Sequence, residues 1–180
     1  MEIIEIIGQV IGLFAMAFNI LSYQQKSQKA VIGFQLFGSM LFAANYLMLG
    51  AIAGGLLNIV GIVRALVFLN KEKLHAEKPI WLIGFIAAYL ASYVLTFAVF
   101  GKEVTPVNLI VEALPLIGMT AITVSFQMKD AKAVRFFGML SSPSWLIYNI
   151  VSGSIGAICC EVLTLGSILI GMLRLDRKKQ

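Results

Sequence analysis

The chain is a succession of apolar runs, each long enough to cross a bilayer, separated by breaks of a few residues. A spanning helix needs ~20 consecutive apolar residues. Seven stretches meet that need: 3–22, 30–49, 51–69, 79–100, 107–126, 132–150 and 154–173. The second and third runs fuse, as do the sixth and seventh. Each fused stretch is roughly forty residues, twice what one crossing requires, so the chain must reverse at Gly50 and again at Gly153. With 59% hydrophobic and 13% charged residues, a water-soluble core of this size could not hide the apolar surface. The expected fold is an all-α integral membrane bundle of seven transmembrane helices. The first run begins almost at Met1 with Glu2 and Glu5, and it is long enough to span, so it reads as a helix and not as a cleaved leader.

Charge sets the expected direction. Numbering the runs alternately places Lys26, Lys29, Lys71, Lys73, Lys78, Lys129, Lys132, Arg135, Arg174, Arg177, Lys178 and Lys179 on one side. Only Lys102 falls on the other, and Arg64 lies inside a run. Positive charge concentrates on the cytoplasmic side, so the N-terminus is expected to be periplasmic and the C-terminus cytoplasmic. The net charge of +5 therefore reflects insertion, and no nucleic-acid partner is expected.

The chain also repeats. Shifting it by 103 positions lays 22–34 (SYQQKSQKAVIGF) on 125–137 (SFQMKDAKAVRFF), and seven of the thirteen residues are identical without a gap. The same register aligns Gly50 with Gly153 and Ile52 with Ile155. Such agreement points to duplication. Runs one to three form one unit and runs five to seven the other. Three crossings end on the side opposite their start, so a fourth crossing between the units makes the two copies parallel. The expected organisation is 1–70 as the first three-helix repeat, 71–103 as a linker with the fourth helix, and 104–180 as the second repeat with a basic tail.

Parallel three-helix repeats around a linker helix are the layout of SWEET transporters, and particular residues extend the likeness. Gln24 and Gln127, followed by Lys26 and Lys129, stand where PQ-loop proteins carry a Pro-Gln pair and a lysine; Tyr23 and Phe126 replace the proline. Trp145 and Tyr148 match a Trp-x-x-Tyr-Gly motif with Asn149 in place of the glycine, and the first half offers Phe42, Asn45 and Tyr46. Asn58 matches the asparagine presented to a central site by the third helix, and its repeat mate is Glu161. The chain thus resembles the PQ-loop/SWEET superfamily, and most closely the YgjV-type family of bacterial inner-membrane proteins. The resemblance implies a facilitator or proton-linked carrier of a small polar solute, with a sugar as one candidate. Relatives that act as receptors or partner subunits without transporting leave a second class open.

Polar groups at membrane depth carry the site expectation. A charged side chain there costs ~2.5–3.5 kcal/mol on insertion scales. Asn58 and Glu161 each sit about eight residues into their runs, ~12 Å deep at 1.5 Å per residue. Both lie on small-residue stripes, which suit either close helix contact or the lining of a path. Asn45, Trp145, Tyr148 and Asn149 complete the expected solute site, with an interfacial aromatic belt as the other reading of Trp145 and Tyr148. Arg64 either snorkels to the cytoplasmic surface or pairs with Glu161. Glu112 either pairs with a neighbour or lines the outer vestibule. Pro115 and Pro143 are expected hinges, and Gly8 with Gly12 a helix-contact pair.

The two cysteines, Cys159 and Cys160, are adjacent in an apolar run, and His75 is alone in a charged loop. Neither makes a metal site. No catalytic set is expected, and no cofactor. The expected partners are the lipid bilayer and a small solute, with self-association into a homo-oligomer left open.

Overall fold

The computed structural model describes residues 3–176. Glu2, Arg177, Lys178 and Lys179, which entered the charge pattern, lie outside the described residues. Seven long helices are joined by tight connections: α1 (Ile3–Tyr23), α2 (Gln28–Met48), α3 (Ile52–Leu69), α5 (Pro79–Ala98), α6 (Pro106–Gln127), α7 (Ala131–Ser152) and α8 (Ile155–Gly171). A one-turn helix, α4 (Lys71–Leu74), interrupts the loop before α5, and a π-helical turn, Met172–Asp176, extends α8. Every long helix ends within two residues of the run expected for it. Proline or short polar residues set the starts of α2, α5, α6, α7 and α8, since they satisfy or remove the orphan N–H groups of the first turn. Ser27 and Asp130, one repeat apart, accept from Ala30 N–H and Lys132 N–H at the heads of α2 and α7.

Six of these helices are long and apolar enough to cross a membrane. The seventh, α7, has the length but is more polar. Its buried face carries Ser141, Ser142, Trp145, Tyr148 and Asn149, so the polarity that removes it from a hydropathy count points inward.

The helices run neighbour to neighbour around a closed ring. α2 lies on α1 and α3, α7 on α6 and α8, and α8 closes the ring against α1. α5 sits against both α3 and α6, and α2 meets α7 across the middle. Residues sort by solvent as lipid demands. Ile3, Phe14, Ile80, Val107 and Ile170 are exposed, while Asn45, Thr123, Ser125 and Asn149 have no exposed surface at all. Buried polar groups in a bilayer need internal partners, and nearly all of these have one.

Equivalent turns recur one repeat apart. The α2–α3 and α7–α8 reversals pass through Gly50 at φ +69° and Gly153 at φ +66°, a region that favours glycine. In the first, Ala51 N–H donates to Tyr46 C=O; in the second, Ser154 N–H donates to Asn149 C=O. Ser22 and Ser125 each return a hydroxyl to the carbonyl three residues back, both at 2.6 Å. Cations cap the far ends of α1 and α6. Arg135 Nη1 donates to the carbonyls of Tyr23 and Gln25, and Lys71 Nζ to those of Phe126 and Met128. Partial burial lowers the Lys71 pKa from the usual lysine range, opposed by the nearby Glu77 carboxylate.

Candidate functional site

A polar cavity lies inside the ring. α1 lends it Asn19 and Tyr23; α2 lends Gln35, Gly38, Ser39, Phe42 and Tyr46; α3 lends Asn58 and Arg64. From the other side come Met119 and Ile122 of α6, Ser141, Ser142 and Trp145 of α7, and Glu161 of α8. No residue of α5 is among them. Applying the 103-residue shift to this lining pairs Asn19 with Ile122, Gly38 with Ser141, Ser39 with Ser142, Phe42 with Trp145 and Asn58 with Glu161. Five pairs of residues 103 positions apart thus face one space. Tyr46 and Asn149, also one repeat apart, bond to each other directly, with Tyr46 Oη donating to Asn149 Oδ1 at 2.5 Å.

The cavity is small. Its volume of about 80 Å³ corresponds to roughly five to eight water-sized spheres. Sites for drug-sized ligands run to ~300–1,000 Å³, so this conformation admits only a compact solute or water. Its wall combines an aromatic face with hydroxyls, amides and two charges. Phe42, Tyr46 and Trp145 form a stacked ladder with ring centroids 5.9 and 6.0 Å apart. The ladder is seated by Gly118, where an added Cβ would lie 2.7 Å from the Trp145 indole.

The two charges are held by different neighbours. Arg64, 4% exposed, is buried inside the protein. Its Nη1 donates to Met119 C=O at 3.2 Å, to Tyr89 Oη at 3.3 Å and to Thr123 Oγ1 at 3.3 Å. The guanidinium stands 5.0 Å from the centre of the Phe126 ring, a cation–π distance, and its Nε has no hydrogen-bond partner. Glu161 Oε2 accepts from Ser142 Oγ at 2.6 Å. Asn58 donates to Gly54 C=O one turn back at 2.9 Å, which leaves its oxygen for the cavity.

Several expectations need correction. The Arg64–Glu161 ion pair is not formed, because the bonds to α5 and α6 hold the guanidinium and Ser142 holds the carboxylate. Snorkelling of Arg64 fails for the same reason. Asn45, Tyr148 and Asn149 do not line the cavity but brace it from behind. Asn45 Nδ2 donates to Gly8 C=O and its Oδ1 accepts from Ser154 Oγ, pinning α1, α2 and α8 together. Tyr148 Oη accepts from Gly54 N–H at 2.8 Å. Asn149 is taken up by Tyr46. Glu112 pairs with Lys102 at 3.0 Å instead of lining a vestibule. Both prolines lie inside unbroken helices, Pro115 on a buried face and Pro143 on an exposed one. Gly8 and Gly12 serve helix contact within the chain, against Met48 and Asn45.

Asn19, Gln35, Ser39, Ser141 and Ser142 were not expected in the site. Isolated serines and amides are ordinary in spanning helices, so their presence alone marks nothing. The repeat register, read for polar residues at matched positions, would have singled out Ser39 and Ser142.

The family model Imp-YgjV, bacterial inner membrane protein, matches residues 6–179. The chain belongs to this family. No curated protein and no solved structure gives a match. Family and fold together make it a multi-pass protein of the bacterial inner membrane. Among the described residues no group of His, Cys, Asp and Glu is placed to hold a metal ion.

Proposed function

We propose that the protein is a carrier for a small polar solute, built as two parallel three-helix repeats (α1–α3 and α6–α8) joined by α5, with α7 as the seventh span. The N-terminus is then periplasmic and the basic loops cytoplasmic, as the charge pattern requires. One observation carries this reading: five pairs of residues one repeat apart converge on a single polar cavity to which the linker helix contributes nothing. A site of that kind can be exposed to either side by rocking one repeat against the other, which is how parallel-repeat carriers of the SWEET type are organised. Burying so many polar groups together at membrane depth is costly for a protein that only needs to fold, and a solute path gives them a use.

Cysteine accessibility tests the reading. With Cys159 and Cys160 changed to serine, Ser39→Cys places a single thiol on the cavity wall. A carrier exposes that thiol to a small, membrane-impermeant methanethiosulfonate added from either side of the membrane, and the labelling slows when transported solute is present. A thiol that reacts from neither side marks a closed bundle and supports a partner subunit that does not transport.

A further inference from the structure

Among the described residues, Arg64 and Glu161 are the only formally charged ones on the cavity wall, and they are of opposite sign. Left to themselves, two such groups in a low-dielectric space would pair. Here each is held by other side chains, the guanidinium by α5 and α6 and the carboxylate by α7. The guanidinium keeps a buried Nε with no partner. By formal charge the wall therefore presents one cationic and one acidic group to a single compact space.

We propose, on the carrier reading above, that the solute is a compact zwitterion of the α-amino-acid kind, its carboxylate received by Arg64 and its ammonium by Glu161. An anion would answer Arg64 and leave Glu161 facing a like charge. A cation would do the reverse. A polyol meets hydroxyls and amides but compensates neither charge. A zwitterion answers both and enters with no net charge, which keeps the cost of crossing the bilayer midplane low. Guanidinium suits a carboxylate because its planar donors match two oxygens at once. The aromatic ladder of Phe42, Tyr46 and Trp145 offers a π face on which an ammonium is also favoured.

The test is counterflow with the full chain reconstituted in liposomes. Radiolabelled glycine and alanine are the zwitterionic probes; glycerol, lactate and ethanolamine represent a polyol, an anion and a cation. Exchange of glycine or alanine, not competed by lactate or by alanine methyl ester, is the expected result. Arg64→Gln and Glu161→Gln should each weaken it by about ten- to a hundredfold, the worth of one charged hydrogen bond. Arg64→Lys and Glu161→Asp, which keep the charges, should recover part of the loss and so separate recognition from misfolding. Exchange of glycerol, lactate or ethanolamine without alanine overturns the zwitterion and leaves the carrier standing. Alanine exchange that both glutamine variants leave intact overturns the assignment to Arg64 and Glu161. Exchange of none of the five overturns the carrier and the zwitterion together.

Discussion

The seam between α1 and α8 and the seam between α3 and α6 occupy equivalent places in the repeat and are made in opposite ways. At the first, backbones touch. A Cβ on Gly156 would lie 2.7 Å from the Gly12 carbonyl carbon, and Ser167 Oγ donates to Ile20 C=O at 2.9 Å. At the second, the positions of Gly12 and Gly156 are taken by Pro115 and Ala53, and that of Ser167 by Arg64. Arg64 reaches across to Met119 and Thr123, the partners in register with Met16 and Ile20, and α5 covers the join with Tyr89 bonded to Thr123 at 2.7 Å. One seam is a tight glycine contact and the other a polar bridge under α5. On the carrier reading, the glycine seam is the line about which the repeats rock. The bridged seam is where a charge could be introduced beside the cavity.

The largest effect should come from breaking the glycine seam. Gly156→Leu forces a side chain into the Gly12 backbone, and stability in detergent should fall by about 3 kcal/mol or more. Gly166→Ala on the same helix, whose Cβ meets nothing, should stay within about 1 kcal/mol of the parent. Next come the cations that cap α1 and α6. Arg135 is 2% exposed and also pairs with Asp176, so Arg135→Gln should cost about 2–3 kcal/mol. Lys71→Gln, at the more open equivalent end, should cost less than about 1 kcal/mol. A scan of melting temperatures that reversed this order would show that the two ends are not closed as described. Between the Arg135 and Lys71 effects falls Tyr89→Phe, which removes a hydroxyl from Arg64 and Thr123 at the bridged seam and should cost about 1–2 kcal/mol. Most nearly equal should be Ser27→Ala and Asp130→Ala, each losing one helix cap worth about 1 kcal/mol. Unequal losses there would mark a difference between the repeats that their cap geometry does not carry.

Much of the frame was legible because lipid makes strong demands. Apolar runs of fixed length and glycine at the two reversals place seven helices within two residues of where they lie. The 103-residue register made the matched turns at Gly50 and Gly153 readable in advance. The one-turn helix at Lys71–Leu74 was not, since four residues, three of them charged, carry no period. Within the site, Asn58, Trp145 and Glu161 were legible as polar or aromatic groups at matched depth. Asn45, Tyr148 and Asn149 looked alike by the same criterion, yet they turn outward from the cavity. A helix's depth can be counted along its sequence, but which way each side chain faces depends on the neighbour it meets. Arg64 shows this most sharply: its charge invited pairing with Glu161, and the chain instead supplied Tyr89, Met119 and Thr123 from helices that no local pattern connects to it.

The central claim is that the two repeats move against each other around the cavity. Spin labels at Leu49 and Ser152 mark the ends of α2 and α7 near the two hairpins, and labels at Lys29 and Lys132 mark their other ends; both pairs are one repeat apart. Distances across each pair, measured by pulsed electron resonance in lipid with and without transported solute, test it directly. The carrier account predicts two populations at each pair, with the solute lengthening one distance as it shortens the other. A single narrow distance at both pairs, unchanged by any solute, would contradict it.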